Sequence, residues 1–87
     1  MRADTSNLSF AVSQIQQWLQ FLSRVDDKLT RVNPDGVYGT ETEAAVRQFQ
    51  LTRSLIPTGT VDFTTWQRLK QDYAAAMLQL QKTYLRE

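Results

Sequence analysis

Two pairs of carboxylates are the groups in this sequence that come closest to an acid–base catalytic site. They are Asp26 with Asp27, and Glu41 with Glu43. Side chains at adjacent or alternate helical positions diverge, and the flanking residues are polar, so neither pair is expected to lie in a desolvated cleft. The 87-residue sequence has no histidine and no cysteine, which excludes an imidazole base, a thiol nucleophile and a Cys/His metal site. We therefore predict no catalytic residues.

One loop has part of the pattern of a calcium-binding loop. Asn33, Asp35 and Gly36 occupy the third, fifth and sixth positions of that pattern. The pattern also needs an acidic residue at its first position and a glutamate at its twelfth. Those positions hold Arg31 and Thr42 instead. The sequence thus predicts no calcium site, and we expect no other metal and no cofactor.

The same loop leads into a stretch, residues 33–50, that is predicted to fold as a tight turn followed by a helix. Asn33-Pro34-Asp35-Gly36 is typical of a type I turn, and Gly39 permits a second backbone reversal. Thr40 and Glu43 have the spacing of a capping box, which predicts a helix start. Residues expected to face the core then follow at helical spacing: Thr42, Ala45, Val46 and Phe49.

A helix is predicted on each side of this stretch. The first is capped by Ser6 or Asn7 and ends near Ser23, and its apolar face is broad enough for two neighbours. The last is capped by Asp62 and runs to about Leu85. The apolar face of the first helix comprises Leu8, Phe10, Val12, Ile15, Trp18, Leu19, Phe21, Leu22 and Val25.

The turn at 34–36 has a short counterpart at 57–59. Each is a Pro-x-Gly run followed by a valine, Val37 or Val61, and then by a capped helix. The similarity is too short for a tandem repeat. The two extended pieces are candidates for a minimal β ribbon.

Composition restricts the class of partner. A formal net charge of +1 gives no field that would gather nucleic acid or anionic lipid. The longest apolar run, residues 74–78, is far too short to span a membrane, and residues 1–7 lack the apolar core of a signal peptide. We expect a single small domain with no nucleic-acid partner and no membrane span.

Three ordered motifs resemble the bacterial peptidoglycan-binding domain, a small three-helix module. The central one is Asp-Gly-x-Tyr-Gly-x-x-Thr-x-x-Ala-Val-x-x-Phe-Gln over residues 35–50. The apolar pattern of residues 12–22 is similar to the first helix of that family, and Thr-Gly-x-Val-Asp-x-x-Thr-Trp-x-x-Leu over 58–69 is similar to the start of its third helix. Together the motifs cover roughly residues 12–70.

The resemblance implies an all-α three-helix bundle of the peptidoglycan-binding-domain type, here with an elongated C-terminal helix. We predict a three-helix domain over residues 8–73 and a helical extension over 74–87. The implied function is non-catalytic binding of peptidoglycan that keeps an attached hydrolase or envelope protein on its substrate. The implied location is the cell envelope or the extracellular space. If the protein is exported, its signal lies outside this sequence or export uses another route, and an attached hydrolase domain would also lie outside it.

The sequence departs from the family at two places. The connection over residues 24–33 is several residues longer than usual and lacks the usual Gly-Tyr. Ser54 stands where the family usually has glycine, which implies a left-handed backbone at the end of the second helix.

Five residues are predicted to contact the ligand. They lie on or beside the two glycine turns, and loops on a rigid scaffold commonly carry function. Tyrosine can stack on a sugar face, and arginine can pair with a peptide carboxylate. The ligand-binding candidates are Tyr38, Arg47, Gln50, Arg53 and Thr58. Two alternatives stay open: Tyr38 could belong to the core, and Gln50, like Gln16, could tie a loop to a helix.

Apolar residues continue along the last helix beyond the family pattern, at Met77, Leu80 and Tyr84. We expect this stripe to pack on the beginning of the first helix of the same chain. Alternatively, it docks onto a partner or a second copy, which would make the chain a protein–protein interaction scaffold. The predicted state is a monomer or a weak dimer through the C-terminal helix.

Overall fold

The computed structural model describes the backbone of residues 5–85 and the side chains of residues 11–82. Three helices follow one another: α1 (Thr5–Val25), α2 (Thr40–Thr52) and α3 (Phe63–Leu85). The predicted all-α three-helix fold with an elongated last helix is confirmed. No strand occurs within residues 5–85, so the predicted β ribbon is wrong there. The proposed cap at Ser6 or Asn7 and the core role of Phe10 concern side chains outside the described residues.

The core forms where α2 and α3 cover the apolar face of α1. Phe49, Val46 and Leu69 are completely buried, and for Phe49 and Val46 the helical spacing predicted this. The long connection between α1 and α2 also contributes, because it places Leu29 and Val32 in the core. The buried apolar residues are Ile15, Trp18, Leu19, Leu22, Leu29, Val32, Ala45, Val46, Phe49 and Leu69.

Aromatic contacts set the direction of α3 relative to α1. The ring centroid of Trp18 lies 4.8 Å from that of Trp66 and 5.7 Å from that of Tyr73. Further along both helices, Phe21 meets Tyr73 edge to face at 5.3 Å. Later residues of α1 therefore meet later residues of α3, and the two helices run in the same direction.

This direction corrects the expectation for the tail. The tail lies beside the end of α1, where Val25, Ala76 and Leu80 line a depression of about 560 Å³. It does not lie beside the beginning of α1, because a parallel α3 moves away from that end. Leu78 and Leu80 remain exposed, and the side chain of Tyr84 lies outside the described residues. Self-association through this stripe stays a prediction, as does a domain boundary at residues 73–74.

A buried glutamine holds the first loop. The Gln16 side chain is completely buried, and its Oε1 accepts a hydrogen bond from the backbone amide of Gly36 at 2.8 Å. Its Nε2 donates to Asp35 Oδ1, to the carbonyl oxygen of Val37 and to Thr42 Oγ1. Gly36 has φ 80°, a conformation that glycine adopts without steric cost. Gln16 therefore ties the loop to α1, which confirms the structural alternative for this residue.

The predicted turn and capping box are corrected here. The amide of Gly36 bonds to Gln16 rather than to Asn33, whose carbonyl accepts instead from the amide of Asp35 at 2.9 Å. The N-cap of α2 is Gly39, with φ −106° and no side-chain cap, so the predicted capping box is wrong. The buried side chain of Gln16 takes the Gly36 amide that the predicted turn would use, and the Glu43 carboxylate pairs with Arg47 instead of the start of α2. Thr42, at the third position of α2, bonds the side-chain amide of Gln16.

The N-terminus of α3 is capped as predicted. Asp62 Oδ1 accepts a hydrogen bond from the backbone amide of Thr65 at 2.9 Å. That backbone amide, followed by the hydroxyl of Thr65, lowers the pKa of the Asp62 carboxyl group.

The C-terminus of α2 ends in a left-handed residue. Ser54 has φ 60°, as the family pattern implied. The amide of Leu55 bonds to the carbonyl of Gln50 at 2.8 Å, and the amide of Ser54 bonds to that of Leu51 at 3.2 Å. These two bonds define a Schellman motif, in which glycine is normally preferred.

Replacing Ser54 with glycine is therefore expected to stabilise the fold by up to about 1 kcal/mol, since it removes the steric cost of a left-handed side chain. Ser54→Ala should give no such gain, because alanine keeps the Cβ atom. Urea unfolding of the three proteins measures the difference. A Ser54→Gly protein that unfolds at a lower urea concentration than the wild type would contradict the expectation.

Candidate ligand-binding site

A groove lies between α1 and the segment that leads into α3. Its volume is about 570 Å³. Apolar side chains form most of its walls, and Tyr38 and Asp62 add polar groups at its edge. The residues that line it are Ala11, Val12, Ile15, Tyr38, Thr60, Val61, Asp62, Phe63 and Trp66. We call it the α1–α3 groove.

Tyr38 joins this groove to the second loop. Its phenol donates a short hydrogen bond to the carbonyl oxygen of Gly59, and 38% of the residue remains exposed. Burial, with a smaller contribution from the Glu43 carboxylate, raises the pKa of Tyr38. The phenol is therefore protonated at neutral pH and serves as a donor. The second loop thus holds Tyr38 at its hydroxyl, while part of the residue stays accessible to a ligand.

Arg47 lies against the same loop. Its Nη2 atom is 3.2 Å from Glu43 Oε2 and 3.5 Å from the carbonyl oxygen of Thr58. Gly59 leaves room for this arrangement: a Cβ there would lie 2.8 Å from Cγ of Glu43 and 2.9 Å from Nη2 of Arg47. The structure thus brings three of the predicted residues together. Tyr38 and Arg47 both contact the loop at 58–60, and Thr58 is part of that loop.

Gln50 lies inside the fold and not on the surface that a ligand could reach. It is completely buried, and its Oε1 accepts from the amide of Gly59 at 2.9 Å. Its Nε2 donates to Thr58 Oγ1, to the Thr60 carbonyl oxygen and to Thr65 Oγ1. Gln50 therefore holds the second loop as Gln16 holds the first. It positions the groups beside Arg47 and has no surface for a ligand.

Arg53 lies at the opposite end of α2, one helix length of about 20 Å from Tyr38. It links three elements through Asp72 on α3, at 2.7 Å, and Asp26 after α1, at 3.1 Å. Burial alone would lower the pKa of Arg53, but the hydrogen bonds and charges of Asp72 and Asp26 raise it. With 15% of its side chain exposed, Arg53 is a structural cation separate from the groove.

Two aromatic residues of the groove were not among the predicted contacts. Trp66 belongs to the motif over residues 58–69, and its partly buried ring forms a wall of the α1–α3 groove. Phe63 was not singled out, although 75% of this residue is exposed. Its position was the available signal for exposure. Phe63 directly follows the cap Asp62 and so precedes Thr65, the first buried residue of α3.

The chemistry of this region favours binding. Aromatic and aliphatic walls provide contact area, and Arg47 provides a cation against the adjoining loop at 58–60. Residues 5–85 contain no cluster of three or more acidic side chains that could hold a metal ion. Within that same range, none of the helices is both long and apolar enough to cross a bilayer.

One comparison with known proteins identifies a family. The family described as “Putative peptidoglycan binding domain” matches residues 11–69, more than half of the chain. Neither a curated protein nor a solved structure gives a significant match. The matched residues include both glutamine-held loops, the α1–α3 groove and the cluster around Arg47. The chain therefore belongs to the peptidoglycan-binding domain family.

Proposed function

We propose that this chain is a non-catalytic module that binds peptidoglycan in the α1–α3 groove, with Tyr38 and Arg47 as principal contacts. The observation that carries the proposal is the convergence of a half-exposed tyrosine and an exposed arginine on one glycine loop beside an apolar groove. The family match over residues 11–69 supports it.

The proposed contacts divide by chemistry. Tyr38 and Trp66 provide ring faces against which the apolar face of a sugar ring can lie. Arg47 provides a guanidinium for a carboxylate of the stem peptide. Its present partner, Glu43, is about half exposed, and such surface pairs contribute only ~0–1 kcal/mol. Arg47 can therefore turn to a ligand at little cost, whereas Arg53 is fixed between two aspartates.

The biological role that follows is attachment. A small module that grips the wall would keep a linked hydrolase or envelope protein near its substrate, in the cell envelope or outside the cell. The alternative, a protein–protein scaffold that uses the C-terminal stripe, rests on the exposed Leu78 and Leu80 alone. The family match favours the wall-binding function.

Substitutions at the two contacts test the proposal. Tyr38→Ala and Arg47→Ala are each expected to weaken co-sedimentation with purified cell-wall sacculi about three- to tenfold, since each removes one contact group. Circular dichroism should show that both proteins remain helical. Tyr38→Phe keeps the ring and should retain most of the binding.

Arg31→Ala is the matched control, because Arg31 is an exposed arginine on the connection between α1 and α2. It should bind as the wild type does, even though its charge change equals that of Arg47→Ala. If Arg31→Ala and Arg47→Ala weaken binding equally, the effect is one of net charge and the assigned site is wrong.

A further inference from the structure

The outer face of α3 carries an exposed aromatic ring and two free amides in a line. Phe63, Gln67 and Gln71 are spaced by four residues, which places them on one side of the helix over about 12 Å. All three are exposed. In the described part of the chain, neither glutamine side chain has a hydrogen-bond partner, in contrast to the saturated Gln16 and Gln50. We call these three residues the α3 track.

The surface along this track is continuous with the α1–α3 groove. Phe63 lines that groove and also a shallow depression of about 290 Å³, which it shares with Leu55, Gln67 and Gln71. A second depression, of about 250 Å³, lies between Gln67, Gln71 and Lys70. Each depression therefore shares lining residues with the next. A row of adjoining depressions suits an extended linear ligand better than a compact one.

We propose that the α3 track binds the glycan strand of the wall, which leaves the α1–α3 groove over Phe63 and continues along Gln67 and Gln71. This inference rests on the proposed function and deepens it, because it assigns a direction and a chemical class to the ligand beyond the groove.

The chemistry of the track selects a polysaccharide. The ring of Phe63 provides an apolar platform for one sugar face, and the amides of Gln67 and Gln71 each supply donors and an acceptor for hydroxyl and acetamido groups. Two acidic residues adjoin the track in sequence. Asp62 precedes Phe63 and accepts a hydrogen bond from the amide of Thr65 at 2.9 Å, and Asp72 follows Gln71 and is held by Arg53 and Arg68 at 2.7 and 3.1 Å. Both carboxylates therefore have partners within the fold, and the neutral amides of the track match the neutral hydroxyl and acetamido groups of a glycan.

A stem peptide fits the track less well. Extended peptides commonly bind by pairing their backbone with an exposed strand edge. The backbone of α3 satisfies its own hydrogen bonds along the helix, and no strand occurs in residues 5–85. Beside the track, Lys70 is the one charge of its depressions without a carboxylate partner among the described residues, so a peptide would find a single charged anchor there.

The test uses the intact protein with soluble chito-oligosaccharides, which are linear chains of N-acetylglucosamine without peptide. Titration calorimetry measures the dissociation constant for the dimer, the tetramer and the hexamer. The affinity of the wild type should rise with chain length as the ligand reaches from the groove onto the track. Phe63→Ala should weaken hexamer binding about three- to tenfold, and the double variant Gln67→Ala/Gln71→Ala should abolish the gain from dimer to hexamer.

Matched controls on the same helix are Leu78→Ala for the apolar change and Gln81→Ala for the loss of an amide. Both residues are exposed and lie on the tail, beyond the track. They should bind the hexamer as the wild type does. Since all the substituted residues are exposed, melting temperatures should stay close to that of the wild type.

The outcomes separate the two proposals. Sacculus binding by the wild type without any binding of chito-oligosaccharides, or with the same affinity for dimer and hexamer, overturns the glycan track and leaves the proposed function intact. A length-dependent gain that survives in the Gln67→Ala/Gln71→Ala protein also overturns it. Failure of the wild type to bind sacculi at all overturns both.

Discussion

Replacing Phe49 with alanine is expected to unfold a large fraction of the protein at room temperature. Phe49 is completely buried between the helices, and its ring also carries the guanidinium of Arg53 at 4.8 Å. Truncating a buried phenylalanine costs about 3–5 kcal/mol through lost burial and the cavity left behind. Domains of this kind hold only about 5–15 kcal/mol in total, and a chain of 87 residues belongs near the lower end.

Thermal melts followed by circular dichroism measure this effect. Leu51→Ala is the matched control, because Leu51 is on the same helix but 57% exposed. Its melt should nearly overlay that of the wild type. A Phe49→Ala protein that melts within a few degrees of the wild type would show that this packing does not hold the three helices together.

Replacing Gln50 with leucine is expected to cost about 3 kcal/mol or more, although the side-chain volume barely changes. The change leaves the buried amide of Gly59 unpaired, and it takes one of two partners from the carbonyl of Thr60, which keeps the Thr58 hydroxyl, and from the hydroxyl of Thr65, which keeps Asp62. Each lost hydrogen bond costs about 0.5–1.5 kcal/mol. Each buried polar group left unpaired costs about 1–3 kcal/mol. The loss should concentrate in the loop at 58–60, which also positions Tyr38 and Arg47.

Gln48→Leu is the matched control on the same helix. Gln48 makes a single exposed hydrogen bond, from its Nε2 to the carbonyl of Lys28 at 2.9 Å, so its replacement should cost well under 1 kcal/mol. Urea unfolding gives both values, and amide hydrogen exchange reports the loop directly. Equal stability of the Gln50→Leu and Gln48→Leu proteins, with Gly59 still protected, would contradict the account of how the loop is held.

Some features of this fold depend on neighbours along the chain, and others depend on residues far apart in sequence. Helical spacing identified Ala45, Val46 and Phe49 as core, and the family pattern identified the left-handed Ser54. The capping box failed because it considers only neighbours along the chain. The amide that organises this loop belongs to Gln16, twenty residues before Gly36. Such a long-range hydrogen bond cannot be read from the local pattern.

The direction of α3 was missed for a related reason. An apolar stripe at Met77 and Leu80 shows that one face of the helix is suited to burial, but it does not specify a parallel or an antiparallel neighbour. The ring contacts of Trp18 and Phe21 with α3 determine that choice, and they depend on the tertiary packing.

The site was predicted in part for the same reasons. Tyr38, Arg47 and Thr58 come together because both glycine turns meet at the start of α2 and α3. Proximity to a turn could not distinguish these from Arg53, which follows α2 at its far end, or from Gln50, whose side chain points inward. The number of residues between a side chain and Gly59 does not show whether that side chain points into the core or toward solvent.

The measurement that tests peptidoglycan binding most directly is co-sedimentation of the wild-type protein with purified sacculi from several wall chemotypes, beside a titration with soluble monomeric muropeptide. A single shallow groove should bind the monomer weakly, at about 10 μM to 1 mM. The repeated sites of an intact wall should nevertheless retain the protein in the pellet. A wild-type protein that stays in the supernatant with every chemotype would contradict the account.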